Sequence, residues 1–126
     1  MASGGELSRL MLAMKTVLAR VDHVPVLIFD EVDAGIGGNV AAAMGQRLNA
    51  LGRTHQVLCI THLPQIAAQA HAHYRVAKER VQKRTITTVA PLHGKEREEE
   101  IARMLGGATI TPTVRKAAGE MLNAAR

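Results

Sequence analysis

Two adjacent carboxylates, Asp30 and Glu31, stand at the end of the apolar run Val26-Leu27-Ile28-Phe29, and a glycine-rich turn through Gly35, Gly37 and Gly38 follows them. Such a pair suits metal and water chemistry. Asp is a hard oxygen ligand for Mg2+, usually through the ion's own water, and the neighbouring Glu can take a proton from, or orient, an attacking water. Thr61 and His62 end a second apolar run, Gln56 to Thr61 (QVLCIT), and a histidine placed there can touch a phosphate. Near the start, Ser3 and Glu6 have the spacing of a helix capping box, with Gly4 and Gly5 between them. Lacking side chains, those glycines let backbone N–H groups and the positive end of the helix dipole come close to an anion. Taken singly, each group has a plainer explanation: a solvated turn, a surface ring, an ordinary cap. Nucleotide hydrolysis is the chemistry that uses all of them at once.

Periodicity gives the elements that must position these groups. Leu7, Leu10, Met11, Met14, Leu18 and Val21 recur on one face, which predicts a helix from Ser3 to about Asp22 with that stripe packed inward. Val26 to Phe29 is apolar without interruption, as in a strand buried on both faces of a parallel sheet. Acids at the end of such a strand lie on the rim where α/β sheets bind ligands. A second helix runs from about Asn39 to Leu51 with Val40, Met44, Leu48 and Leu51 as its stripe and Gly52 as its stop. The strand Gln56 to Thr61 follows, and then a short helix from Pro64 to about Ala70. If the two strands are parallel neighbours, Asp30, Glu31, Thr61 and His62 share one rim.

Beyond Ala70 the pattern changes. His73 to Val81 and Arg84 to Pro91 read as a hairpin around Gln82-Lys83, pairing antiparallel at the sheet edge. Arg75, Lys78, Arg80, Lys83 and Arg84 make it the most basic region, which serves equally a solvated edge and a DNA contact without an aromatic ladder. Helices over about Lys95 to Leu105 and Pro112 to Ala125 close the chain. Ile101, Met104, Leu105, Val114, Ala118, Met121 and Leu122 form their packing stripes, and their charged residues read as a wet face.

Composition bounds the rest. The chain has 126 residues, 47% of them hydrophobic, with one Phe, one Tyr and no Trp, so it fits one domain with an aliphatic core. A net charge of +5 permits a polyanionic partner. A single cysteine, Cys59, excludes a disulfide framework and sits inside an apolar run, as a buried small residue would. No run of about 18 apolar residues and no secretory signal is evident, so a cytoplasmic protein without a membrane span is expected. Nucleophilic catalysis lacks a G-x-S-x-G elbow, His71 and His73 lack companions at metal-ligand spacing, and Gly35-Ile36-Gly37-Gly38-Asn39-Val40 breaks the dinucleotide fingerprint at its last position.

These residues also carry a family resemblance. Ala2-Ser3-Gly4-Gly5-Glu6-Leu7-Ser8 resembles the signature motif of ABC-type ATPases, Val26 to Glu31 their Walker B strand with its catalytic Glu, Val32 to Gly35 their D-loop, and Thr61-His62 their switch histidine. The extended stretches ASGGELSR, FDEVDAGIGG and THLPQIAA are similar to the bacterial DNA-repair branch related to the structural maintenance of chromosomes (SMC) family. Transporter ATPases usually carry Gln where Glu6 stands and lack the GIGG extension. The resemblance implies half of an ABC-type P-loop ATPase head: short parallel strands with flanking helices plus an antiparallel edge hairpin. It implies ATP and Mg2+ as cofactors, Asp30 for the metal, Glu31 and His62 as catalytic groups, and Ser3, Gly4, Gly5, Glu6 and Asp33 as contacts to nucleotide or across a dimer.

No G-x-x-x-x-G-K-[ST] loop is present to cradle the β- and γ-phosphates. In the family that loop lies in an N-terminal half, beyond a long coiled coil. Residues 1–126 are therefore expected to be the C-terminal half of a split head, with Met1 an artificial start. The expected partners are the Walker A half of the same protein, a second head in an ATP-sandwiched homodimer, and DNA, with nucleoid association and a role in double-strand break repair and recombination. Two other readings stay open. One is a non-catalytic DNA- or partner-binding module with an ATPase-like shape; the other is the ATPase half of a chromosome-structuring SMC protein or a transporter.

Overall fold

The structure, a computed structural model, describes residues 1–21 and 23–126. In chain order the elements are α1 (Gly4–Leu18), β1 (Val26–Phe29), α2 (Gly38–Leu51), β2 (Gln56–Cys59), α3 (Pro64–Ala67), β3 (His73–Val81), β4 (Arg84–Leu92), α4 (Gly94–Gly106) and α5 (Pro112–Ala124). This is the mixed α/β chain that the patterning predicts. It divides into two compact units, Met1–His71 with Ala125–Arg126, and Ala72–Ala124.

In the first unit β1 and β2 pair in parallel, with Val26 opposite Gln56 and Phe29 opposite Cys59. One face of this pair packs on Leu12, Val32, Ala41, Leu48, Leu51 and Ile66, and Leu27 and Phe29 point into that cluster. The other face is open, which corrects the expectation of a strand buried on both sides. Val26, Ile28, Leu58 and Ile60 are exposed, Ile28 at 67%. The side chains alternate across the pleat, and no element of the first unit covers the outer set.

Helix α1 brings a second correction. Its predicted inward stripe, Leu7, Leu10, Met11, Met14, Leu18 and Val21, is exposed throughout, whereas Leu12 is 1% exposed. The face that α1 turns to the core is Gly5, Ser8, Arg9 and Leu12, at the i, i+3, i+4, i+7 positions of one stripe. That face makes polar bonds to a turn, so hydrophobic periodicity is blind to it. The helix ends at Leu18, and the predicted end at Asp22 lies outside the described residues. In α2 the buried set is Ala41, Gly45, Leu48 and Leu51, and the predicted Val40 is exposed. Gly45 is required because a Cβ there would stand 2.8 Å from Gln69 and 3.0 Å from the Gln65 carbonyl, so α2 and α3 approach through it.

The second unit is built from a hairpin and two helices. β3 and β4 pair antiparallel from His73 opposite Leu92 to Val81 opposite Arg84. Gln82 and Lys83 both have positive φ, 45° and 68°, the arrangement a two-residue turn needs to match strand twist. The expected edge addition is corrected here: among the described residues the hairpin is a two-stranded sheet of its own. Ile101, Ala102 and Ala118 are buried in this unit. The expectation of a wet acidic face fails at Glu100. Its carboxylate is 7% exposed and takes a two-bonded fork from Arg103, at 2.6 and 2.9 Å, with Arg75 of β3 at 3.7 Å.

Candidate functional site

The parallel pairing puts the C-terminal ends of β1 and β2 side by side, with the Ile60 N–H bonded to the Phe29 carbonyl at 3.0 Å. Asp30-Glu31 and Thr61-His62 therefore leave the sheet at the same rim. Asp30 is exposed, and its Oδ1 accepts the Glu31 N–H at 2.8 Å, an arrangement that braces the carboxylate beside its own backbone. Glu31 takes a left-handed conformation, φ 57°, uncommon for a residue with a side chain. Its carbonyl then accepts the Ala34 N–H at 3.0 Å, closing the turn that carries Val32 and Asp33 inward. Backbone strain of this kind costs on the order of 1–3 kcal/mol and concentrates where a side chain must be aimed.

Helix α1 holds this turn from the other side. The Ser8 hydroxyl donates to the Asp30 carbonyl at 2.6 Å, and the Arg9 guanidinium donates to the carbonyls of Ala34 at 2.8 Å and Val32 at 3.3 Å. Alternate carbonyls of the Asp30-to-Ala34 turn are thus tied to the second turn of α1. Sequence patterning missed Ser8 and Arg9; the signal was there in their helical spacing from Gly5. The capping box is formed, with Ser3 Oγ accepting the Glu6 N–H at 3.2 Å and Glu6 Oε2 accepting the Ser3 N–H at 3.1 Å. Glu6 therefore serves the helix mouth directly. Gly4 and Gly5 are needed for close approach: a Cβ on Gly4 would collide with the Glu31 carboxylate, and one on Gly5 would stand 2.9 Å from the Glu31 carbonyl.

Asp33 joins the two strand ends. It is 5% exposed, and its Oδ2 accepts the Thr61 hydroxyl at 2.6 Å and the His62 N–H at 2.9 Å, with His62 Nδ1 also at 2.9 Å. Burial alone would raise its pKa. The Thr61 and His62 hydrogen bonds and the charge of the His62 ring outweigh that and hold the carboxyl below its ordinary 3.8. The structure thus brings Asp30, Glu31, Asp33, His62 and the Ser3–Glu6 mouth into one region of the first unit. Cys59 opposite Phe29 takes no part: burial, aided by the Asp33 and Asp30 charges, pushes its thiol up to about 11, so it stays protonated and inert.

The DNA repair protein RecN of Xylella fastidiosa strain 9a5c is 54% identical over 96% of this chain, that of Treponema pallidum 54% over 98%, and that of Bacillus subtilis 47% over 98%. The chain corresponds to a segment of these RecN proteins. It spans about a fifth of the length of these relatives, 22% of each. No protein-family model matches it. The 123 residues aligned with the Treponema pallidum protein include residues of both units. Among the described residues no helix is long and apolar enough to cross a membrane, and no three His, Cys, Asp or Glu side chains converge as a metal site.

Proposed function

We propose that this chain is the C-terminal half of an ABC-type ATPase head that acts in DNA double-strand break repair and recombination, with residues 1–126 supplying the water-activating and metal-binding edge. The observation that carries the proposal is the common rim: two parallel strand ends, tied through Asp33, deliver two carboxylates and a histidine next to a glycine-rich helix mouth. Mg2+ fits this chemistry as a shared ligand. Asp30 is an exposed oxygen donor, and an ion that retains water and binds substrate phosphates needs one or two protein carboxylates rather than a cage. When bound, the ion would supply charge neutralisation to the phosphates. Glu31 would accept a proton from the attacking water, and His62 would meet the γ-phosphate. Ser3, Gly4 and Gly5, at the start of α1, would face nucleotide held by a second head, with Glu6 keeping that mouth capped and Asp33 shaping the loop beside it.

The Walker A half of the same protein is the partner that this reading requires. The open outer face of β1 and β2 and the exposed stripe of α1 favour it, as does the large share of each relative that lies outside this segment. Charge at the centre of the open face, Ile28→Asp, should leave the isolated chain folded and abolish assembly with the Walker A half, measured by co-purification. The deciding experiment is Glu31→Gln in the assembled head: nucleotide binding is retained and hydrolysis falls by roughly 100-fold or more, the scale of a lost general base. Wild-type hydrolysis in that variant would sink the assignment.

A second reading, a DNA-contacting module, is favoured by the exposed Lys78, Arg80 and Lys83 on and beside the outer end of the hairpin. Neutralising those residues should remove salt-sensitive DNA binding by the chain if that reading holds, with no dependence on ATP.

A further inference from the structure

The Asp33 carboxylate is turned into the first unit, and what it holds there is the ring of His62. Asp33 Oδ2 lies 2.9 Å from His62 Nδ1, an ion-pair distance, and a carboxylate, which accepts hydrogen bonds and donates none, favours the ring form that carries its hydrogen on Nδ1. The same oxygen takes the His62 backbone N–H and the Thr61 hydroxyl, and the Thr61 Oγ1 accepts the Leu63 N–H at 3.0 Å. The peptide of His62 is thereby hydrogen-bonded to the atom that its ring approaches. The rest of the ring is free of this constraint: the His62 side chain is 77% exposed against 5% for Asp33. A histidine anchored at one nitrogen and open at the other presents a single defined atom to whatever approaches.

We propose that Asp33 is the positioning residue for His62: it selects the Nδ1–H form of the ring and presents Nε2 outward as the atom that meets a phosphate. The final clause rests on the reading of His62 as the phosphate contact; the selection of the ring form does not. With Nδ1–H committed to Asp33, Nε2 can donate to a phosphate oxygen only in the doubly protonated ring, which then bridges the Asp33 carboxylate and the bound anion. Thr61 completes the arrangement by sharing the carboxylate and bracing the peptide that follows His62. The turn after β1 and the end of β2 are coupled through this carboxylate, so displacement of one strand end moves the phosphate-facing atom of the other.

Histidine labelled with 15N in the 126-residue chain reads the ring form directly. At a pH where the ring is neutral, His62 is expected as the Nδ1–H tautomer; Asp33→Asn releases that selection and Thr61→Ser preserves it. An Nε2–H ring in the unaltered chain overturns the proposal, and that measurement needs no variant to fold. In the head assembled with the Walker A half, Asp33→Asn should slow hydrolysis roughly 10- to 100-fold, the scale of a misplaced group, with His62→Gln similar and the double variant no worse. Fully additive losses would overturn the coupling. An Nδ1–H ring together with undiminished hydrolysis in His62→Gln would leave the positioning role standing and remove the phosphate-contact reading.

Discussion

Asp33 and Glu100 are the two buried carboxylates among the described residues, and they are held by opposite kinds of partner. Asp33, in the first unit, is surrounded by a hydroxyl, a backbone N–H and a ring nitrogen, and one of those partners projects into solvent. Glu100, in the second unit, is closed by the Arg103 fork and by Arg75, which joins helix α4 to strand β3. Its pKa is lowered first by the Arg103 hydrogen bonds, against burial, and further by the Arg103 and Arg75 charges. An acid saturated by arginines has no atom left to act and serves to tie elements together. An acid held mostly by neutral donors, with a histidine as its one ionisable partner, instead orients a group whose far side is still available. Burial alone therefore does not separate a site from a scaffold; the chemistry of the partners does.

That contrast breaks most clearly on activity. In the assembled head, Asp33→Asn should cost roughly 10- to 100-fold in hydrolysis, whereas Glu100→Gln should change it by less than about 2-fold. Equal losses in steady-state ATPase assays would erase the distinction. Stability should show the reverse emphasis. Glu100→Gln is expected to destabilise the chain by about 1–2 kcal/mol, because hydrogen bonds to charged groups are lost although the arginine ends are half-exposed and screened. Urea melts followed by amide exchange should place that loss in β3, β4 and α4.

Acid sharpens the same comparison. The folded pKa values of Asp33 and Glu100 both lie below their ordinary values of 3.8 and 4.5, so each contributes stability that is complete above those values and is lost as pH falls through the folded ones. The second unit should weaken earlier. His73 is pushed below 6.5 by burial and by the nearby Arg97 charge, against the pull of Glu100, and its Nδ1 is buried without a hydrogen-bond partner. Protonating it is easier in the unfolded chain, so its contribution is present above about pH 6.5 and fades below it, with a slope of at most about 1.4 kcal/mol per pH unit. His73→Gln should flatten the fall in stability below about pH 6.5. An unchanged slope in that variant would assign the loss elsewhere.

The legible part of the molecule was its periodic part. Val26–Phe29, the start of the second strand at Gln56, the Gln82-Lys83 turn and the capped start at Ser3 followed from local pattern and turn chemistry, although that strand stops at Cys59 rather than Thr61, and the shared rim followed from strand order. The illegible part was orientation. Leu7, Leu10, Met14 and Leu18 form a convincing apolar stripe, yet α1 turns Gly5, Ser8, Arg9 and Leu12 inward, because the turn it faces offers carbonyls rather than methyl groups. The inward rotation of Asp33 was hidden for a similar reason. An aspartate in a turn looks like an exposed contact until the Thr61 hydroxyl across the strand pair is known to point at it. Glu100 sits in a run of three glutamates, Glu98 to Glu100, where composition suggests only solvent and the third alone is buried.

The smallest expected effect tests whether burial gives the Glu100 pair its weight. Lys116 and Glu120 in α5 are also a pair within one helix, at 4.0 Å and four residues apart, but both side chains are largely exposed and the lysine precedes the acid, the less favourable order against the helix dipole. Water screens the attraction, and ordering two long side chains costs entropy. Glu120→Gln should therefore shift stability by about 0.3 kcal/mol or less in the same urea melts. If it matched Glu100→Gln, helical spacing rather than burial would be setting the strength of both pairs, and the arginines around Glu100 would lose their claim to hold the second unit together.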